Sequence, residues 1–204
     1  MADRSIRFPA PMILAALDGR KTQARQLAWG KNNRQRGVLT DPKDCFEKPT
    51  PWQALKPGDR LWVKEAFAQV GTVDPPWLVT KADYPECAKI YGFDCIPETI
   101  EEVGYRWRPS IHMPRWASRL TLIVTGVQIE RLQDISEADA VAEGCRGTLG
   151  ANSEFPDEWD PSPAEEFRDL WSSLYGPEAW AANPEVVAIT FRTIRANIDS
   201  QEAK

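Results

Sequence analysis

The chain has 204 residues, 42% hydrophobic and 27% charged, a balance that suits one globular domain with its own core and excludes a disordered or disulfide-stapled polypeptide. Its net charge of −5 excludes a protein that coats nucleic acid nonspecifically, and no stretch approaches the ~18 to 20 apolar residues of a membrane-spanning helix. The first apolar stretch, Phe8 to Leu17, contains two prolines and stops at Asp18, unlike a secretion signal, so the expected location is cytoplasmic. Cys45, Cys87, Cys95 and Cys145 form no Cys-x-x-Cys pair, and the lone His112 has no second ligand nearby in sequence; reduced thiols, no metal and no cofactor are expected.

Phe8 to Arg20 reads as a short helix, with Pro9 and Pro11 at its start and Gly19 near its end. Ile13, Leu17 and Lys21 are spaced by four, which sets the lysine in line with core residues. A charge there must reach back to water or find a partner, because an unpaired buried charge is very costly. From Arg20 to about Pro57 the chain is polar, basic and proline-bearing and reads as an extended loop. Lys56-Pro-Gly-Asp59 is a turn signal into a strand on which Leu61, Val63 and Phe67 share one face. Glu65 lies on that face too, as either a structural buried acid or a pocket residue.

Residues 70–102 show no clear period and read as an insertion of long loops. Arg119 to Leu132 is the strongest strand, apolar on both faces and so expected in the middle of a sheet or barrel. Ser136 is a candidate N-cap with Asp139 three positions on, opening a helix that ends at Gly144. An acidic loop follows over 147–163, then a helix from Pro163 to Tyr175 and a last strand from Val186 to Ile194. This order predicts a single α+β domain over residues 1–204, with mixed, mainly antiparallel sheet and helices packed outside.

Charge is sorted along the chain. Gly19 to Thr40 holds no acidic residue but carries Arg20, Lys21, Arg25, Lys31, Arg34 and Arg36; Val103 to Ile129 is also acid-free and carries Arg106, Arg108, Arg115, Arg119 and His112. If these stretches meet they form a local anion site, suited to a nucleotide or short single strand rather than a long duplex; the alternative is a solvated basic loop. Trp29, Trp107 and Trp116 lie within them, and a base stacked on such a ring gains ~1 to 3 kcal/mol.

Several segments together resemble the ASCH family of the PUA-like superfamily, most closely its larger phage- and prophage-type members. They are Leu17-Asp-Gly-Arg-Lys-Thr22, Pro57-Gly-Asp-Arg-Leu-Trp-Val63 with Glu65, Arg108-Pro-Ser-Ile-His-Met-Pro-Arg-Trp-Ala-Ser-Arg119, Ile135-Ser-Glu-Ala-Asp-Ala-Val-Ala-Glu-Gly144, and the strand after Asn183-Pro184. The resemblance implies a PUA-like, mixed, mainly antiparallel β-barrel with flanking helices and long loop insertions, and binding of RNA or a modified nucleobase. A branch of the family comprises acetylcytidine amidohydrolases that use a lysine, a threonine and a glutamate. Lys21 and Glu143 match the lysine and the glutamate, whereas the threonine position is Ala24 and the neighbouring arginine position is Gln26.

A methyl group cannot act as a nucleophile, so the resemblance implies recognition ahead of catalysis. The expected pocket has Lys21 and Arg25 on phosphate or carbonyl oxygens and Glu65 or Glu143 accepting from a base amine, with Arg20, Thr22, Trp29, Arg108, His112, Arg115 and Trp116 around them. The expected partner is a nucleotide, a nucleoside or single-stranded nucleic acid, a (modified) pyrimidine in particular. One alternative is a hydrolase on the same site, an acylated-cytidine amidohydrolase or a ribonuclease, in which Glu143 activates a water held between it and Lys21 and Lys21 stabilises the oxyanion. The other is a phage structural or interaction protein in which Lys21 is paired to Glu143 or Glu65 for stability alone.

Overall fold

The computed structural model describes residues 2–32, 34–35, 38–39, 46–72, 76–92, 96–147 and 161–200. Arg36, Cys45, Cys95 and most of the acidic loop lie outside the described residues, as do the side chains of Lys31 and Arg34. The fold is mixed α+β. Its main sheet has five strands in the order β1 (Asp3–Arg7), β7 (Arg60–Lys64), β10 (Thr121–Arg131), β11 (Glu185–Ile194), β2 (Gln23–Leu27). Pairing is parallel for β1 with β7 and antiparallel for β7 with β10 and for β11 with β2. Among the described residues the order runs from one edge strand to the other, so the sheet is open and the expected closed barrel is not seen. Three two-stranded ribbons accompany it: β3 (Trp29–Asn32) with β6 (Phe46–Pro49), β4 (Arg34–Gln35) with β5 (Val38–Leu39), and β8 (Phe67–Val70) with β9 (Trp77–Thr80). No helix among the described residues is long and apolar enough to cross a membrane.

The chain divides into two compact units. The first comprises residues 1–19, 59–123 and 192–204. Here α1 (Ala10–Leu17) stops at Asp18 because Gly19, at φ 75, takes the left-handed turn that glycine adopts most easily. The strand expected from Arg60 through Phe67 is divided: β7 ends at Lys64 and Phe67 opens β8, paired with β9, while Leu61, Val63, Glu65 and Phe67 are all buried, as their alternation predicts. Residues 70–102 correct the loop expectation. They contain β9 and short 3-10 turns at Lys81–Asp83, Glu86–Tyr91 and Ile100–Val103, which converge on a cluster of Ala68, Val70, Val79, Ala88 and Ile100. Apolar residues spaced irregularly along turns leave no period to read, yet they bury together once the turns fold back.

The second unit comprises residues 20–58 and 124–191. The loop expectation for its first part is also corrected: β2 pairs with β11 in the register Gln23↔Thr190 to Leu27↔Val186. Gln-Ala-Arg-Gln-Leu has little β-propensity of its own, and the partner strand, buried from Val186 to Ile189, makes it a strand. Helix α2 (Glu137–Ala142) is capped as expected, with Ser136 accepting from the Asp139 backbone N–H. Helix α3 (Pro163–Tyr175) opens on a capping box of Ser162 and Glu165 and is followed by α4 (Pro177–Ala181). Phe167 and Trp171 of α3 pack with Leu132, Ala140, Cys145 and Val186 in this unit's core.

Candidate functional site

Lys21 is not on the face of α1. It lies beyond Gly19 on the extended lead-in to β2, where Lys21, Gln23 and Arg25 follow the two-residue period of a strand. The backbone fixes this lead-in on both sides: Thr22 N–H donates to the Ala142 carbonyl at 2.8 Å, and Phe191 N–H donates to the Thr22 carbonyl at 2.8 Å. Those bonds set Lys21 against the C-terminal end of α2, whose cap residue is Glu143.

The lysine is fully buried, at 0% exposure, and Glu143 is at 2%. Lys21 Nζ donates to Glu143 Oε2 at 2.6 Å and to the Glu143 carbonyl at 2.8 Å. Placing a cation on the last carbonyls of a helix is favourable in itself. The other carboxylate oxygen, Oε1, accepts from Arg25 Nη1 at 3.2 Å. Arg25, itself buried, also donates through Nε to Glu130 Oε1 at 2.9 Å and through Nη1 to Gln23 Oε1 at 2.7 Å, and its Nη2 stands 3.6 Å from Asp139 Oδ2. Its guanidinium carbon lies 5.8 Å from the centre of the Phe167 ring. Gln23 Nε2 donates to Asp139 Oδ1 at 3.1 Å, and Arg20 Nη1 donates to the Gly144 carbonyl at 3.0 Å. Asp139 is held below the usual carboxylate range, first by the Ser136 hydroxyl and then by Gln23 and Arg25, which outweigh its partial burial.

The arrangement bears directly on catalysis. Lys21 Nζ and Glu143 Oε2 are in direct contact at 2.6 Å, where the hydrolase alternative places a water between them. Ala24 is buried in the sheet opposite Ile189 and offers no hydroxyl. Thr22 is exposed and alternates onto Ala24's side of the chain, away from Lys21. The thiol closest in sequence, Cys145, is pushed up to about 12 by burial and by the charges of Glu166 and Glu143, so it stays protonated and unreactive at neutral pH. Among the described residues no group of three or more His, Cys, Asp or Glu is placed to hold a metal ion.

The remaining expected residues divide between the units. Trp29 belongs to the second, where its indole N–H donates to Glu185 Oε2 at 2.7 Å. Glu65, Arg108, His112, Arg115 and Trp116 belong to the first. Both oxygens of Glu65 are taken by Arg119, at 2.8 and 2.9 Å, and the same guanidinium binds Asp83 at 2.6 and 3.0 Å. Burial pushes Glu65 up despite those bonds. Arg115 is engaged by Asp199 and Asp3, at 2.7 and 2.6 Å. Arg108 and His112 are exposed, and Trp116 is 58% exposed.

Gln23, Glu130 and Phe167 were not singled out from sequence as site residues, and Asp139 only as part of a helix cap. The period-two spacing of Lys21, Gln23 and Arg25 is the signal that points to Gln23; Glu130 has none, because it meets Arg25 across 105 residues. No family model, curated protein or solved structure matches the chain.

Proposed function

We propose that the chain recognises a nucleobase or nucleoside through the Lys21, Arg25 and Glu143 cluster, as an ASCH-type member of the PUA-like superfamily. One observation carries the reading: Lys21 and Glu143, the two residues matched by the resemblance, stand 122 apart in sequence and are in direct contact in the interior. A cytosine-like edge presents an amine donor beside two acceptors, and a carboxylate beside an ammonium and a guanidinium presents the complementary acceptor and donors. The two buried cations already face Glu143, Glu130 and Asp139, which leaves little positive field for a phosphate. The base, and not the phosphate, is therefore the recognised part. Glu130 and Asp139, with side chains 23% and 35% exposed, mark the end of the network that solvent reaches, and a ligand entering there takes over hydrogen bonds now made by Arg25.

The test is calorimetric titration of cytidine, uridine and cytidine monophosphate into the full chain and into Glu143→Gln. Cytidine is expected to bind at least about tenfold more tightly than uridine, a gap of ~1.4 kcal/mol, with the monophosphate no better than cytidine and the preference lost in the variant. A folded wild-type chain that binds no nucleoside overturns the reading and leaves the cluster as an ion pair that stabilises the fold. The hydrolase alternative is weakened by Ala24 and by the direct Lys21 to Glu143 contact; release of cytidine from acetylcytidine would reinstate it.

A further inference from the structure

The first unit holds a cavity of about 230 Å³ with walls from β8, β9 and residues within 84–92 and 96–105. A cavity of ~150 Å³ accommodates benzene, and drug-sized ligands need ~300 Å³ or more, so this volume suits a single ring with a short substituent. None of the described residues lining it carries a charge; Val70, Val79, Ala88 and Ile100 form an apolar floor, which excludes phosphates, carboxylates and amines.

Three tyrosine hydroxyls brace this region, and one differs from the others. Tyr84 donates its proton to the Pro97 carbonyl at 2.7 Å, and Tyr91 donates to the Leu78 carbonyl at 2.8 Å while accepting from Leu78 N–H. Tyr105 only accepts, from Gly71 N–H at 2.9 Å, and among the described residues its own proton has no acceptor. Both Tyr105 and Gly71 line the cavity. Gly71, at φ 87, also lets the Trp77 ring lie against the backbone, since a Cβ there would come within 2.5 Å of that ring. The aromatic wall is therefore built in, with a hydrogen-bond donor at its edge.

We propose that this cavity binds a small uncharged molecule of one ring bearing a hydrogen-bond acceptor such as a carbonyl, which the Tyr105 hydroxyl holds. The site is separate from the nucleobase reading and does not rest on it. The probes are acetophenone and isopropylbenzene, which match in size and differ in the carbonyl, titrated into the isotope-labelled full chain and followed by amide resonances of Gly71, Trp77 and Tyr105. Both are expected to give saturable shifts. Val103→Trp, at the exposed rim, should weaken both by about tenfold or more, whereas Tyr105→Phe should weaken acetophenone about five- to tenfold and isopropylbenzene less than about twofold. No saturable shift with either probe at millimolar concentration overturns the site. Equal loss of both probes in Tyr105→Phe overturns the role of the hydroxyl.

Discussion

The two units each bury a carboxylate against a cation, and they do so differently. In the first, Arg119 spans Glu65 and Asp83 with paired hydrogen bonds to each, so every oxygen of both acids is engaged by one planar fork whose side chain is 29% exposed. In the second, Glu143 divides its oxygens between a fully buried lysine and Arg25, and Arg25 is itself shared with Glu130 and lies near Asp139. The first arrangement is a clamp that leaves an incoming ligand nothing to bind without breaking a bidentate pair. The second is a chain of partners in which Arg25 makes single hydrogen bonds to Glu143, Glu130 and Gln23 in place of one bidentate fork.

The comparison is tested most severely at Lys21. Lys21→Met leaves Glu143 buried with Arg25 as its one cation, at 3.2 Å, and is expected to cost ~3 to 5 kcal/mol in urea denaturation. Adding Glu143→Leu should recover most of that loss, because the uncompensated charge leaves with the lysine. A double variant as unstable as the single would mean that the pair supports the fold beyond its own charges. Arg119→Lys is expected to cost less, about 2 kcal/mol, since an ammonium cannot span Glu65 and Asp83 but still leaves a cation beside them. A loss as large as that of Lys21→Met would erase the distinction between clamp and network. Smaller again is Ser136→Ala, which removes the cap of α2 for ~1 kcal/mol. It should also bring the Asp139 carboxyl back toward its ordinary range in an NMR titration, because the Ser136 hydroxyl is the chief cause of its depression.

Burial of Glu65 was legible because Leu61, Val63, Glu65 and Phe67 alternate in sequence, a local pattern that survives although β7 ends at Lys64 and Phe67 opens β8. Burial of Lys21 was legible for a different reason than the one that operates. The spacing from Ile13 and Leu17 suggested a helix face, but Gly19 ends the helix and the lysine is buried by strand periodicity with Arg25. The β2 strand itself was hidden, since its residues are strand-like only when paired with β11. The cavity was hidden for a related reason: Trp77 to Thr80 is a four-residue strand among prolines, and its apolar neighbours arrive from turns up to Tyr105. Ser136, by contrast, declares its cap within three residues and could be placed at once.

The finest test of the contrast lies in the pH dependence of the clamp. Burial raises Glu65 above its ordinary 4.5 in spite of the Arg119 bonds. A raised folded value contributes stability that is fully present below 4.5 and is lost as pH rises through that folded value. Asp83 has the opposite sign: burial pushes it up, but the Arg119 and Thr80 hydrogen bonds prevail and hold it below 3.8, so its contribution is present above 3.8 and is lost as pH falls through the folded value. The two windows do not overlap, which lets one variant isolate one acid. Relative to Glu65→Gln, the wild-type chain should lose stability from pH 4.5 toward neutrality, by less than ~1.4 kcal/mol per pH unit, and then run parallel to it. A difference that grows in the wild type's favour over that range would mean that Arg119 more than repays the desolvation of Glu65. The clamp would then be held by its charges on both sides, and the burial of Glu65 would cease to be the cost that separates it from Asp83.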